Sequence, residues 1–177
     1  MEALKIIAVC VLSCVIYGVI HDQITARICV EYFTIGHAPV FPTNDPTLLG
    51  LGWGIIATWW VGVLLGMPLA FFAHIGSLPK ITARQLVRPL VVLMVCSGCI
   101  AVLAGLIGYV AASHGWVFLV GSMAKRVPAD KHVAFLVDLW AHNASYISGF
   151  IGGVILMGVI WRWRLVAEFN NGQSSAE

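Results

Sequence analysis

The chain has 177 residues, of which 60% are hydrophobic and 10% are charged, and its mean hydropathy is +0.93. Soluble domains contain about 45 to 50% apolar residues, so this composition excludes a soluble fold and predicts an integral membrane protein. The net charge of +2 comes without a run of basic residues that would neutralise phosphates, so nucleic acid is not an expected partner.

The hydrophobic segments predict an all-α fold, a four-helix transmembrane bundle that lies in the lipid bilayer. A helix needs roughly 20 apolar residues to cross a bilayer, so the chain provides four spans and their connections. We expect one transmembrane domain over residues 1–169, with spans at about 4–20, 48–74, 86–112 and 142–163. The polar residues 170–177 are expected to form a disordered cytoplasmic tail.

The first helix is expected to extend beyond its hydrophobic part. The apolar run at residues 4–20 lacks a small-residue cleavage site, which favours a span over a signal peptide. It is slightly short, and nothing in residues 21–33 breaks a helix, so we expect an unbroken helix that continues outside the bilayer. On that helix, Arg27 can pair with Glu31 or Asp22.

The second and third spans begin with recognisable helix starts. Asp45 is an expected N-cap with Pro46 in the first helical position, and Thr82 with Gln85 three residues later forms a capping box. Pro68 lies inside the second span and predicts a kink there.

Small residues predict close contacts between helices. The chain contains two GxxxG pairs, Gly62 with Gly66 in the second span and Gly149 with Gly153 in the fourth. Such faces are expected to bind either other helices of the same chain, a second copy in a homo-oligomer, or a partner membrane subunit. The fourth helix is expected to start near Pro128 and to project above the bilayer before crossing it.

The basic residues predict that both termini lie in the cytoplasm. Six basic residues fall on the side of the termini and four on the other side, and the short loop after the second span carries no acid. Loops rich in Lys and Arg stay inside the cell, so this loop sets the orientation. The six are Lys5, Lys80, Arg84, Arg88, Arg162 and Arg164, and the four are Arg27, Lys125, Arg126 and Lys131.

This orientation collects histidines and carboxylates on the periplasmic side, near the outer ends of the first, third and fourth helices. Imidazole and carboxylate together are ligands for zinc, iron, manganese or copper, and Asp138 and His142 share one helix face at four-residue spacing. The sequence therefore predicts a divalent transition-metal site drawn from His21, Asp22, Glu31, His37, His114, Asp138 and His142. The simpler alternative is that these residues are solvated helix ends in a structural or assembly subunit.

Cysteine supplies a third hypothesis, a thiol redox protein. Cys96 and Cys99 form a CxxC in the third span, and Cys10 and Cys14 lie four apart in the first. The CxxC resembles that of quinone-linked thiol oxidoreductases in spacing, but it lies near the middle of a hydrophobic run, where a thiolate is costly. Cysteine in a span is more often a small apolar filler, and a Cu(I) site built from both pairs is a minor alternative.

The stretch around the first helix end resembles a known pattern. Tyr17-Gly18, His21-Asp22-Gln23, Thr25, Arg27, Glu31-Tyr32-Phe33-Thr34 and Gly36-His37 are similar to residues in an uncharacterised family of small bacterial membrane proteins with four spans. The resemblance implies a multi-pass protein of the bacterial inner membrane. It brings no known activity, so it assigns no role to any residue.

Overall fold

The computed structural model describes residues 1–174 of the chain, with the side chains of residues 1–173. Over these residues all regular elements are helical. They are α1 (Glu2–Ile28), α2 (Val30–Thr34), α3 (Pro46–Ile56), α4 (Trp59–His74), α5 (Ala83–Ser113), α6 (Gly121–Arg126) and α7 (His132–Ser174), with a 3₁₀ turn at Ala129–Lys131 before α7.

Four helical segments are long and apolar enough to cross a membrane. They are Glu2–Ile28, Pro46–His74, Ala83–Ser113 and Ala129–Gln173, which confirms the predicted all-α class and the number of spans. Their lengths of 27, 29, 31 and 45 residues exceed what a bilayer requires, so the helices extend beyond the predicted apolar runs. The helix of α7 continues through Asn170 to Ser174, where a disordered tail is expected, and residues 175–177 of that tail lie outside the described range.

Two breaks differ from the predicted helices. The expected unbroken helix over residues 21–33 is wrong at Cys29, which is extended with φ −148° and ψ 98° and separates α1 from α2. The break places Tyr32 and Phe33 in a buried cluster with Phe135. The free energy gained by burying these aromatic rings offsets the loss of helical hydrogen bonds at the break. The second span is interrupted at Thr58. Its hydroxyl donates a hydrogen bond to the carbonyl of Gly54, a contact that often bends a helix.

The predicted helix starts are confirmed. The carboxylate of Asp45 accepts hydrogen bonds of 2.8 and 2.9 Å from the backbone N–H groups of Thr47 and Leu48. The side chain of Gln85 accepts a 2.8 Å hydrogen bond from the backbone N–H of Thr82. These caps fix where α3 and α5 enter the membrane-spanning part of the fold.

The second span packs directly on the backbone of α1 through a stripe of small residues. The stripe repeats every fourth position as Gly50, Gly54, Thr58, Gly62 and Gly66. A Cβ atom on Gly54 or Gly66 would lie 2.6 or 2.8 Å from a Cα atom of α1, closer than real side chains come. The first GxxxG pair therefore serves contact within the chain, and α1 with α3 and α4 forms one closely packed pair of spans.

A second closely packed pair of spans is formed by α5 and α7. Leu93 of α5 lies against Gly152 of α7, and Gly108 of α5 faces Trp140. The two pairs meet through contacts of α1 with α5 and of α4 with α7. One apolar core fills the end of the bundle near the termini, and a second fills the opposite end around α2.

Near the termini, Arg164 of α7 joins the two pairs. Its side chain is completely buried and donates to the backbone carbonyls of Phe72, Ile75, Leu78 and Pro79, at the end of α4 and in the loop that follows. These carbonyls belong to the last turn of α4 and to the loop after it, so the guanidinium satisfies them while its charge lies at the negative end of the helix dipole.

Candidate functional site

The centre of the candidate site is a contact between the ends of two distant helices. Asp22, in the last two turns of α1, and His142, in the third turn of α7, are both buried. Oδ1 of Asp22 lies 3.2 Å from Nε2 of His142. This contact brings the last turns of α1 against the first turns of α7.

The hydrogen bond at the other ring nitrogen fixes which nitrogen of a neutral His142 ring carries the hydrogen. Its Nδ1 lies 2.8 Å from the carbonyl oxygen of Asp138, which only accepts, so Nδ1 carries a hydrogen and donates it. Nε2 of a neutral ring then presents a lone pair to the carboxylate of Asp22. Two lone pairs at 3.2 Å repel one another, so this contact requires a proton or a metal cation between the two groups.

His21 adds a third donor atom from the turn beside Asp22. Its Nε2 is buried and has no hydrogen-bond partner among the described residues. Its ring lies edge-on to that of His142 with 4.5 Å between centroids, and it stacks on Tyr17 at 5.8 Å. A buried imidazole nitrogen without a partner is costly unless it binds something, so His21 is available to a ligand.

The three residues meet the geometric requirement for a metal site. One donor atom each from His21, Asp22 and His142 lies within 4.8 Å of the other two. Metal–ligand bonds of about 2.0 to 2.2 Å place neighbouring donors roughly 3 to 3.5 Å apart, so a small inward movement of these side chains is sufficient. The donation from His142 Nδ1 to a backbone carbonyl is the arrangement that orients metal-binding histidines.

Asp138 lies next to this group without belonging to it. It is completely buried one turn before His142, and both of its carboxylate oxygens lack a partner among the residues described. Its backbone carbonyl contacts His142, whereas its carboxylate is outside the three-residue group. Asp138 therefore places a second carboxyl group beside the cluster.

Three of the predicted ligands lie elsewhere. Glu31 follows the break at Cys29, and its carboxylate accepts a 3.5 Å contact from the Cys29 thiol. His37 donates from Nδ1 to the carbonyl of Tyr32 at 2.9 Å and lies among aromatic rings at the edge of the site. His114 is exposed, with its Nδ1 bonded to the carbonyl of Val110. Glu31 and His114 lie in or beyond the turns that follow α1 and α5, whereas His37 lines the same cavity as the cluster without contributing a donor atom to the three-residue group.

Arg27 does not neutralise the cluster, which corrects the predicted pairing with Glu31 or Asp22. Its guanidinium donates to the side-chain oxygen of Gln23 at 2.8 Å and to the hydroxyl of Thr47 at 2.9 Å. Those contacts attach α1 to the start of α3 on the outer surface. Within the described part of the chain, the carboxylate of Asp22 contacts the imidazole of His142 and not the guanidinium of Arg27.

Two groups next to the cluster are held in their neutral forms. Burial, together with the nearby Asp138 and Glu31 side chains, raises the pKa of the Cys29 thiol to about 12. Burial also raises the pKa of the Tyr32 phenol well above its usual value. Tyr32 packs against His142 with 4.5 Å between ring centroids, so it supplies an apolar wall and an uncharged hydroxyl.

The cluster forms one end of a cavity of about 530 Å³ between the two pairs of spans. His21, Asp22, His37 and His142 line its outer end, and most of its remaining wall is apolar. Residues with hydroxyl groups also line it on α1, α5 and α7, among them Tyr17, Ser97 and Tyr146. The site thus combines a buried polar end with an apolar chamber that reaches into the bilayer.

Sequence reasoning missed Tyr17 and Ser97 as functional candidates. Tyr17 precedes His21 by one helical turn, and its hydroxyl lies 2.6 Å from that of Ser145, so helical spacing carried a signal for it. Ser97 stands between Cys96 and Cys99, which drew attention to the cysteines. Its hydroxyl is buried without a partner among the described side chains and backbone, whereas both cysteines are exposed on the outer side of α5.

The two cysteine pairs of the spans lie in different environments. Cys10 and Cys14 are buried, Cys96 and Cys99 are exposed, and all of them are free thiols. Among the described residues, the group of histidine, cysteine and carboxylate side chains close enough to hold a metal contains no cysteine.

Comparison of the chain with protein-family models, with curated proteins and with solved structures finds no match. What the protein does must therefore be inferred from its own side chains. The three donors at the outer end of the cavity are the strongest basis for that inference.

Proposed function

We propose that the protein binds a divalent transition-metal ion through His21, Asp22 and His142. The protein is a four-helix transmembrane bundle with both termini in the cytoplasm, and the site lies on the periplasmic side. The observation that carries the proposal is the 3.2 Å contact of His142 Nε2 with Asp22, beside the unpartnered Nε2 of His21.

The chemistry of the donors supports a metal rather than a proton alone. Two imidazole nitrogens and one carboxylate oxygen form a set that zinc and iron(II) accept while keeping positions open for another ligand. A shared proton would satisfy His142 and Asp22 but would leave His21 Nε2 without a partner. A divalent cation satisfies all three.

The basic residues support the orientation. The connection between α4 and α5 carries Lys80, and Arg84 and Arg88 follow in the first turns of α5. Positively charged short loops remain in the cytoplasm, which puts the cluster on the opposite side. The bacterial inner membrane is the proposed location, because the stretch from Tyr17 to His37 resembles small bacterial four-span proteins.

The test is the metal content of the purified protein. The chain should be purified through a tag without histidines, and its zinc, iron, manganese and copper measured by plasma mass spectrometry against protein concentration. We expect about one ion per chain, and we expect Asp22→Asn and His142→Ala to lower the content by about tenfold or more, the range for lost ligand-shell groups.

His114→Ala is the matched control, because this histidine is exposed and distant from the donor group. It should retain the metal content of the wild type, and all variants should elute as the same species from gel filtration. Wild-type protein without bound metal after growth and reconstitution with all four ions would refute the proposal, as would full occupancy in both site variants.

A structural or assembly subunit is the second candidate. The contact between Asp22 and His142 joins α1 to α7 whether a proton or a metal lies between them, so it stabilises the packing of the two pairs in either case. This candidate predicts that Asp22→Asn lowers stability without any change in metal content. The thiol redox hypothesis remains a third candidate, tested by the cysteine variants in the Discussion.

A further inference from the structure

We propose that the cavity binds a quinone or quinol, a neutral lipid with a ring that carries paired oxygen atoms and an isoprenoid tail. The ring would lie at the polar end of the cavity and the tail along its apolar wall. This inference stands on the cavity and Ser97, so it does not depend on whether the neighbouring cluster holds a metal.

The size and lining of the cavity fit such a ligand. Its volume of about 530 Å³ is within the range of roughly 300 to 1,000 Å³ for small-molecule sites. The aromatic side chains of Tyr32, Phe33 and Trp53 line it near the polar end, where a flat ring can pack against them. Leu65, Met94 and Met157 line its deeper part, which suits a hydrocarbon tail.

The open side of the cavity faces lipid between α4 and α7. Leu64 of α4 is 63% exposed, and Phe150 and Val154 of α7 are 76% and 52% exposed, although all three line the cavity. These residues lie well inside apolar spans, where the surroundings are hydrocarbon chains. A ligand that is dissolved in the bilayer can therefore enter from the side.

Ser97 provides a specific contact for an oxygen atom. A serine in a membrane helix ordinarily bonds to the carbonyl four residues earlier. The Ser97 side chain is only 3% exposed and lines the cavity, yet its hydroxyl has no partner within the described part of the chain. Once the Ser97 side chain rotates toward the cavity, a quinone carbonyl can accept from this hydroxyl, and a quinol hydroxyl can donate to it.

The charges around the cavity select a neutral head group. No lysine or arginine lines the cavity, within the residues described, whereas the Asp22 carboxylate does. A phospholipid phosphate would find no lysine or arginine in the lining to bind, and the Asp22 carboxylate would repel it wherever the cluster holds no cation. A quinone has no charge, and its oxygens match the hydroxyl and imidazole groups at the polar end.

Gly149 allows the cavity to be filled without disturbing the packing of the helices. It lines the cavity, and a Cβ atom at this position would meet nothing within 4 Å. Gly158 of the same helix also has open space at its Cβ position but does not line the cavity. Gly149→Leu and Gly158→Leu therefore form a matched pair.

The test is binding of decylubiquinone to the protein in nanodiscs, measured through the quenching of tryptophan emission. Trp53 and Trp60 line the cavity, so a bound quinone lies next to them. We expect saturable binding in the wild type and in Gly158→Leu. Gly149→Leu should bind about tenfold or more weakly because its side chain occupies the volume of the ligand. Ser97→Ala should weaken binding about fivefold, the effect of one neutral hydrogen bond.

Quenching that rises linearly and equally in all variants would overturn the proposal, since it reports partition into lipid alone. Wild-type affinity in Gly149→Leu would overturn it too. So would the recovery of only phospholipid when bound lipids are extracted from protein purified from native membranes. If Gly149→Leu fails to fold, Ser97→Ala decides, because it removes one oxygen and adds no volume.

The outcomes separate this inference from the metal proposal. Gly149→Leu should keep the metal content of the wild type, because Gly149 contributes no donor atom. Loss of quinone binding with metal retained supports both proposals. Quinone binding in a protein without metal refutes the metal proposal alone, and metal binding without quinone binding refutes the present inference alone.

Discussion

Replacement of Arg164 by methionine should destabilise the protein strongly, although the residue lies far from the candidate site. The guanidinium is completely buried and donates four hydrogen bonds of 2.6 to 2.9 Å to the carbonyls of Phe72, Ile75, Leu78 and Pro79. Methionine keeps much of the aliphatic volume but removes every donor, so the variant isolates the hydrogen bonds from the packing.

The expected loss of unfolding free energy is about 3 to 5 kcal/mol. A hydrogen bond from a charged group contributes about 1.5 to 3 kcal/mol, so four such bonds set an upper bound. The actual loss should be smaller than their sum, because carbonyls near the end of α4 can regain water once the side chain is gone.

The assay is reversible unfolding by sodium dodecyl sulfate in mixed micelles, followed by circular dichroism. Arg162→Met is the matched control, since Arg162 lies two residues earlier on the same helix and is exposed. It should change the unfolding free energy by less than about 0.5 kcal/mol, as surface substitutions do. Arg164→Lys should be intermediate, because one ammonium group cannot reach all four carbonyls. Equal stability of Arg164→Met and Arg162→Met would refute the reasoning.

Two further predictions concern orientation and thiols. Reporter fusions after Lys80 and after residue 170 should report cytoplasm, and a fusion near Asn44 should report periplasm. The reverse pattern would place the candidate site on the cytoplasmic side. Replacing Cys96 and Cys99 with Ser should leave stability and any cellular phenotype nearly unchanged, because both side chains face outward on α5. A redox-dependent gel shift that disappears in this double variant would favour the thiol redox hypothesis instead.

The spans could be predicted because a bilayer allows few solutions. Backbone groups inside hydrocarbon must be bonded within the segment, so a long apolar run such as the one in α5 has to be helical. The caps at Asp45 and Thr82 were predictable for a similar local reason. The break at Cys29 was not, because its neighbours allow a helix and only the distant Phe135 makes the turn of Tyr32 favourable.

The candidate site was predictable in its chemistry and only partly in its membership. His21, Asp22 and His142 come together because the end of α1 and the start of α7 are in contact. The sequence indicated that these segments lie at the same depth, but not that the helices are neighbours. Glu31 was lost from the group by one residue of extended backbone. The role of Ser97 depends on the direction in which one position of α5 points, and hydrophobic periodicity in a uniformly apolar helix does not reveal that direction.

Two polar contacts near the ends of α7 define how the interior of the protein can be reached. His142 bonds α7 to α1 and Arg164 bonds it to the end of α4, and their separation of 22 positions along the helix spans about 33 Å, close to the thickness of a hydrocarbon layer. Separating the helices at either aqueous boundary therefore breaks charged hydrogen bonds. Separating them at the midplane exchanges side-chain contacts for equally apolar lipid chains and costs little. A ligand should therefore enter the cavity laterally from the bilayer, and its solubility in the membrane should determine how readily it reaches the cavity.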